Sequence, residues 1–305
     1  MKSIVLVAGG TGDLGQRIVK FLLKMDAEVR VISRAGRSPI ISEKLQKLGA
    51  HVIQIQSWDE NELSKACIGV NCVVSALSGL RDVIYDAQKT LLDAAIVAGV
   101  PRFIPSDYSI DFTKFPKGSN RNLDWRREFH LYLDKSSITA TSIFNGAFAE
   151  LLNNEMPMIL YKINRIMYWG NADQRMDFTT MDNAAEFTAK VAVDFSTPRY
   201  LRIAGSQLSP REIKEVAEAV TGNKFKLLRP GDLGLLSFLI KVARTIAPGK
   251  DELYPAWQGM QYMRNMLTGK SHIQDLDNQR YDEIKWTSVK EVLNENQLNN
   301  NTEKE

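Results

Sequence analysis

Between residues 3 and 23 the chain passes from a short β-branched apolar run, SIVLVA, through Gly9-Gly10-Thr11-Gly12-Asp13-Leu14-Gly15 into a helical pattern carried by Ile18, Val19, Leu22 and Leu23. The glycines satisfy both G-x-x-G-x-x-G (Gly9, Gly12, Gly15) and G-x-G-x-x-G (Gly10, Gly12, Gly15). A glycine fingerprint alone says little. Set between a strand and a helix it gains a mechanism. Glycine permits the tight turn and close backbone approach, and the helix N-terminus offers unsatisfied N–H groups and positive dipole to a pyrophosphate. The competing reading is a glycine-rich turn that holds nothing.

The alternation continues. EVRVIS is strand-like, HVIQI (51–55) again strand-like, DENELSKAC (59–67) helical, VNCVVSAL (70–77) strand-like, 82–98 helical, and RFIPS (102–106) opens a fifth strand. Such spacing predicts a doubly wound, parallel α/β sheet of the Rossmann kind, with helices on both faces. A turn-rich stretch at 111–122 precedes a helical segment at 124–135 and a strand at 138–144. The expected boundaries are a dinucleotide-binding part over 1–145, a smaller α/β substrate-binding part over 146–293 that can interleave with the first, and a disordered tail over 294–305, NENQLNNNTEKE. Ser209, Pro210 and Glu212 read as a capping box at the head of a helix over 210–221.

The end of the second strand decides between dinucleotides. An NAD site places Asp or Glu there for the ribose hydroxyls. Here the sequence is Ser33-Arg34-Ala35-Gly36-Arg37, with no acid before Glu43. A planar guanidinium can stack on adenine and grip a 2′-phosphate. Arg34 and Arg37 therefore point to NADP; the plain alternative is a solvated basic loop. Beyond residue 145, Phe148, Trp169, Met176 and Phe178 belong to a dense aromatic and methionine stretch, which suits either the lining of an apolar cleft or simple core.

Bulk properties narrow the class. A net charge of +3 with interleaved signs leaves no nucleic-acid footprint. The two cysteines, Cys67 and Cys72, make neither a disulfide framework nor a metal site. No run of 18 apolar residues suggests a membrane span, and no metal cluster is expected. The expectation is a soluble cytoplasmic protein.

Several segments together resemble the isoflavone-reductase-like, NmrA-like branch of the atypical short-chain dehydrogenases: VAGGTGDLG, ISRAGR, LQKLGAHVIQIQSWDENELSKAC followed by NCVVSAL, AGVPRFIPSDYS, TSIFNGAF and RMDFTTMDNAAEF. They run from residue 3 to about 220, and their order and spacing are specific although no one segment is. The resemblance implies an NADPH-dependent reductase of a small aromatic or apolar substrate. It implies backbone contacts to the cofactor from Ala76, Leu77 and Ser78, with Pro105 and Ser106 near the nicotinamide half. Asn145 and Gly146 of TSIFNGAF join Phe148, Trp169, Met176 and Phe178 as substrate-side candidates.

The family's assisting lysine falls on Arg126 or Arg127 in LDWRREFHLYLDK, so arginine replaces it. Arginine does not lose its proton, but Arg127 can stabilise negative charge on a substrate oxygen. Proton transfer then needs another group. His130 lies one turn along the same face, and imidazole suits general acid–base work; Tyr108 is a second candidate. Both also read as packing residues. The departure from lysine supports a second function, a non-catalytic NADP(H)-binding redox sensor with a protein partner. Tyr85 and Lys89 match Y-x-x-x-K, but too early in the chain to serve as its active-site pair, and are read as structural. A monomer or homodimer is expected.

Overall fold

The computed structural model describes residues 2–36, 38–153 and 155–302. The chain begins β1 (Ile4–Ala8), α1 (Asp13–Lys24), β2 (Glu28–Arg34), α2 (Pro39–Lys47), β3 (His51–Ile55), α3 (Glu60–Cys67) and β4 (Cys72–Ser75). A π-helical turn, Asp82–Ala87, leads into α4 (Gln88–Val97). Next come β5 (Arg102–Ile104), α5 (Arg121–Leu133), β6 (Thr139–Ala140), β7 (Ser142–Phe144), β8 (Ala147–Phe148), β9 (Ile159–Leu160), β10 (Arg165–Met167) and β11 (Met176–Thr179). The remainder is α6 (Met181–Val193), β12 (Tyr200–Arg202), β13 (Ser206–Leu208), α7 (Pro210–Thr221), β14 (Lys226–Leu228), α8 (Leu233–Ile246), α9 (Ala256–Leu267) and α10 (Val289–Thr302).

The chain forms two interleaved units. The first comprises 1–107, 124–143 and 184–201; the second comprises 108–123, 144–183 and 202–305. Unit 1 contains a six-stranded sheet ordered β3-β2-β1-β4-β5-β6, every neighbouring pair parallel. The central strands β1 and β4 are nearly continuous buried runs, as expected where helices cover both faces. Ile18, Val19 and Leu22 of α1 are wholly buried, as their helical spacing predicts. On one face Leu6, Val73, Leu91, Phe103 and Phe129 belong to a single apolar cluster. Arg102 on β5 is buried but satisfied: its guanidinium donates to Val191 O at 2.9 Å, Ala192 O at 3.2 Å and Thr197 Oγ1 at 2.7 Å. The returning segment 184–201 is thus built into unit 1.

Tyr85 and Lys89 have structural occupations. Lys89 Nζ is 2.7 Å from Asp93 and sits over the Tyr132 ring, while the Arg81 guanidinium lies 4.5 Å from the Tyr85 ring centre. Cys67 and Cys72 are free and wholly buried, and burial pushes both thiols up to about 12. Thiolate is the reactive form. Native protein at neutral pH should therefore leave a chromogenic disulfide reagent unreacted, and unfolding should release two thiols; fast labelling of the folded chain would contradict this packing.

Unit 2 has two three-stranded sheets, β14-β10-β9 and β13-β11-β8. The capping box at α7 forms as read: Glu212 N–H donates to Ser209 Oγ at 3.2 Å, and Ser209 N–H to Glu212 Oε2 at 2.8 Å. Residues 294–302, expected as an irregular tail, continue α10, whose inward positions Val292 and Leu293 are buried and carry the polar residues along in helix. Among the described residues no helix is long and apolar enough to cross a membrane.

Candidate functional site

The sheet order reverses between β1 and β4, and their ends pair Ala8 with Ser75. Ligands in such sheets sit beyond the carboxyl ends of the strands at this switch point. Here the backbone is packed so closely that side chains are excluded. Gly9 has φ +80°, and a Cβ on it would lie 2.5 Å from Ala76 O; one on Gly15 would lie 2.1 Å from Gly9 O and 2.7 Å from Gly10 Cα. Gly12 N–H donates to Gly9 O at 3.0 Å, closing the turn. Gly12 is also the N-cap of α1 and supplies no side-chain cap. Asp13, in the first turn, is drawn to Arg17 at 2.8 Å, so its backbone N–H rather than its carboxylate is what it offers a ligand. Gln16 Nε2 holds Thr11 O at 3.1 Å. Leu14 completes the first turn. A cradle of backbone N–H groups whose Gly9 and Gly15 admit no Cβ fits a dinucleotide pyrophosphate.

Arg34 closes β2, exposed, opposite Ile55 of β3. The first acid after it, Glu43, is paired with Lys47 at 2.6 Å. Arg37 lies outside the described residues.

After β4, Ala76 N–H donates to Ala8 O at 2.8 Å, and exposed Ser78 follows. Ser106, after β5, ties this loop to its own: its hydroxyl donates to Leu77 O at 2.6 Å and its N–H to Gln88 Oε1 at 2.8 Å. Pro105 beside it is buried. Arg126 Nε donates to Ser106 O at 2.9 Å. Arg126 therefore reaches the strand-five loop. Arg127 is its neighbour on α5. Gln88 went unnoticed in the sequence because a glutamine in a helix carries no local signal of its partner.

His130 is 5% exposed, and its Nε2 lies 2.6 Å from Asp107 Oδ2 and 3.3 Å from Ser142 Oγ. Tyr200 stacks on the imidazole with centroids 6.2 Å apart, and Arg199 donates to Ser142 Oγ at 2.6 Å and to Asp134 at 3.0 Å. Burial pushes the Asp107 carboxyl up. The charge and hydrogen bond of His130, the Ser142 hydroxyl and the Arg126 charge outweigh it and hold the group below the usual carboxylate range. The arrangement fixes an imidazole against a buried carboxylate, the geometry of an oriented acid–base.

The remaining candidates belong to unit 2. Tyr108 is buried at the start of it. Asn145 donates its N–H to Ser109 O at 3.0 Å and accepts the Thr179 hydroxyl at 2.7 Å on its carbonyl. Gly146 has φ +67°, and a Cβ there would lie 2.2 Å from Asp177 O. Phe148 is half-buried, Trp169 buried, and Met176 and Phe178 on β11 are wholly buried in the core. Asp177, between the last two, accepts from Gln207 Nε2 at 2.7 Å and Ile273 N–H at 3.0 Å, with His272 Nδ1 at 3.0 Å. Burial pushes its carboxyl up despite these bonds. No sequence spacing revealed the Asp177–His272 pair. Among the described residues no group of His, Cys, Asp or Glu is placed to hold a metal.

Similarity to known proteins follows this geometry. The model of the NmrA-like family matches residues 1–230. Pinoresinol reductase 2 of Arabidopsis thaliana is 30% identical over 239 residues, covering 72% of this chain and 75% of that protein. A bifunctional pinoresinol-lariciresinol reductase of Linum perenne is 28% identical over 241 residues, 73% of this chain and 76% of its own. A solved structure of AtPrR2 with NADP+ and (+)pinoresinol superposes with TM-score 0.82 at 23% identity, covering 96% of this chain and 98% of that one. The leucoanthocyanidin reductase–NADPH complex from Vitis vinifera gives 0.80 at 19%, covering 97% and 100%. With most of its length matched and its cradle formed where the fold places one, the chain belongs to the NmrA-like family.

Proposed function

We propose that this chain is an NADPH-dependent reductase of a small aromatic substrate. The observation that carries the reading is the Cβ-excluding cradle at the switch point, with Arg34 where an NAD site carries an acid. Relatives named as pinoresinol and pinoresinol-lariciresinol reductases support the reaction class. Bound NADPH supplies a hydride.

The chain's own residues do the rest. Backbone N–H groups of Gly12 to Gly15 hold the pyrophosphate, and Arg34, with Arg37, takes the 2′-phosphate. Ala76, Leu77 and Ser78 line the cofactor, while Pro105 and Ser106 shape the nicotinamide end. Arg127 and Arg126 supply fixed positive charge for an oxygen that gains electron density. His130, oriented by Asp107, is the proton donor, and the Tyr108 hydroxyl is a further donor on the loop that follows. Asn145, Gly146, Phe148 and Trp169 contact substrate, with Met176 and Phe178 packed behind.

The test is a fluorescence titration with NADPH and NADH, followed by loss of reduced-nicotinamide absorbance with a panel of phenylpropanoid, quinone and enone compounds. Arg34→Ala should weaken NADPH binding about 10- to 100-fold, the worth of a charge-assisted contact, and leave NADH binding unchanged. Equal loss for both cofactors would refute the 2′-phosphate assignment. Tight NADPH binding with no oxidation by any compound would replace the reductase with a redox-sensing regulator.

A further inference from the structure

Helix α8 reads LGLLSFLIKVARTI, with Lys241 and Arg244 its only charged residues. Helices apolar around most of their circumference are ordinarily buried on every side. Here one side alone is covered. Leu236 and Ile240 are buried where α8 packs against α9, and Arg264 Nε of α9 donates to Ser237 Oγ at 2.6 Å. The opposite side stays open to solvent. Leu235, Phe238, Val242 and Ile246 stand at i, i+3, i+7 and i+11, a spacing that aligns them in one stripe about 17 Å long. Leu235 is 43% exposed, Phe238 60% and Ile246 77%, with Val242 half-buried. Exposed apolar residues scattered singly carry no information, but a run of them on one face marks a contact surface.

The charges around the stripe have one sign. From Lys224 to Lys250 the chain has six basic residues, all exposed, and one acid, in a molecule whose net charge is only +3. That acid, Asp232, is the N-cap of α8, and its carboxylate accepts Leu235 N–H at 2.8 Å. Asp251 and Glu252 follow beyond the last lysine. Within α8, Lys241 falls midway along the stripe, and the Arg244 guanidinium lies over the Trp257 ring, 5.2 Å from its centre. These charges decide between occupants. A second copy docked on the stripe about a twofold axis at its midpoint would bring Lys241 against Lys241, with no carboxylate inside either helix to offset them. A surface that is negatively charged outside and apolar beneath suits both the stripe and its basic surroundings.

We propose that α8 is a peripheral membrane-binding element, lying in the plane of a bilayer with anionic headgroups and sinking its apolar stripe just below them. At 14 residues it is too short to span the bilayer. Interfacial helices join an apolar face to lysine and arginine, and bind through buried apolar area together with attraction to anionic lipid. The Lys241 stem runs alongside the stripe while its ammonium stays at headgroup level.

The experiment is vesicle co-sedimentation of the full chain, with vesicles of phosphatidylcholine alone and of phosphatidylcholine and phosphatidylserine in equal parts. Wild type should bind the phosphatidylserine vesicles at least about tenfold more tightly, and added salt should weaken that binding. Phe238→Ser should lose about tenfold or more in affinity, and Lys241→Glu a similar factor, with both unfolding at the wild-type temperature. Ile40→Ser, which removes an 81% exposed isoleucine from α2, should bind as wild type does. No binding to the phosphatidylserine vesicles overturns the proposal. So does equal binding to both vesicle types, or Phe238→Ser binding like wild type. Sedimentation velocity without lipid tests the second copy: a wild-type dimer that Phe238→Ser dissociates would assign the stripe to self-association and overturn the membrane reading.

Discussion

Gly15→Ala should remove saturable NADPH binding and destabilise the native state by about 3 kcal/mol or more, the upper range for overpacking a rigid site. The three atoms nearest its Cβ would all be backbone: Gly9 O at 2.1 Å, Gly10 Cα at 2.7 Å and Gly9 C at 2.8 Å. No rotamer change relieves such a clash. Either the turn opens or α1 withdraws from it, and in both cases the first-turn N–H groups lose their common aim. Gly12 is the control. A Cβ there meets only Gly9 O at 3.3 Å, so Gly12→Ala should cost the fold only the N-cap preference, about 0.5–1 kcal/mol, although it too crowds the pyrophosphate. Denaturant unfolding of the two variants checks the contrast in stability. Equal stability in both would show that the cradle is not packed as described.

Asp107→Ala is expected to cost about 2–3 kcal/mol, the upper range for leaving buried hydrogen-bonding groups without their partner. The loss strands more than one group: His130 Nε2 at 2.6 Å, and the Ser142 hydroxyl that Arg199 holds from its other side. Asp107→Asn keeps the shape and should cost less. Wild-type stability also acquires a pH dependence of known sign. Although burial opposes it, the charge and hydrogen bonds around Asp107 set its folded pKa below the unfolded one. The stabilisation is therefore full above the ordinary carboxylate range, near about pH 4, and is lost as pH falls through the lower native value. Below that point the difference in unfolding free energy between wild type and Asp107→Asn should shrink as the carboxylate protonates. A difference that grew as pH fell below that point would contradict the assignment.

The parts legible in the sequence were those with local causes. Strand–helix alternation, the glycine turn and the Ser209 capping box each depend on residues a few positions apart. Parts set by distant partners were not legible. Asp107 and His130 are 23 residues apart and Asp177 and His272 are 95 apart, and each pair meets only because the sheets bring the elements together. Composition also blurred core and cleft: methionine and phenylalanine suit both, and Met176 and Phe178 proved to be interior residues of β11. Choosing between Arg126 and Arg127 turned on one residue of loop length, which on a helix rotates a side chain by 100°. Arg126 donates to Ser106 O, a contact that no sequence spacing disclosed.

The return of the chain at 184–201 to complete unit 1 has a consequence during synthesis. The buried Arg102 finds its acceptors Val191 O, Ala192 O and Thr197 Oγ1 only on that late segment. A ribosome adding about 5–20 residues per second must continue for roughly another 5–20 seconds after β5 before those carbonyls exist. Throughout that interval the Arg102 guanidinium must keep its water, so unit 1 closes around it only once the late segment has been made. The same threading means that no single cut in the gene yields either unit whole. Recombination between relatives must therefore exchange short internal segments rather than halves.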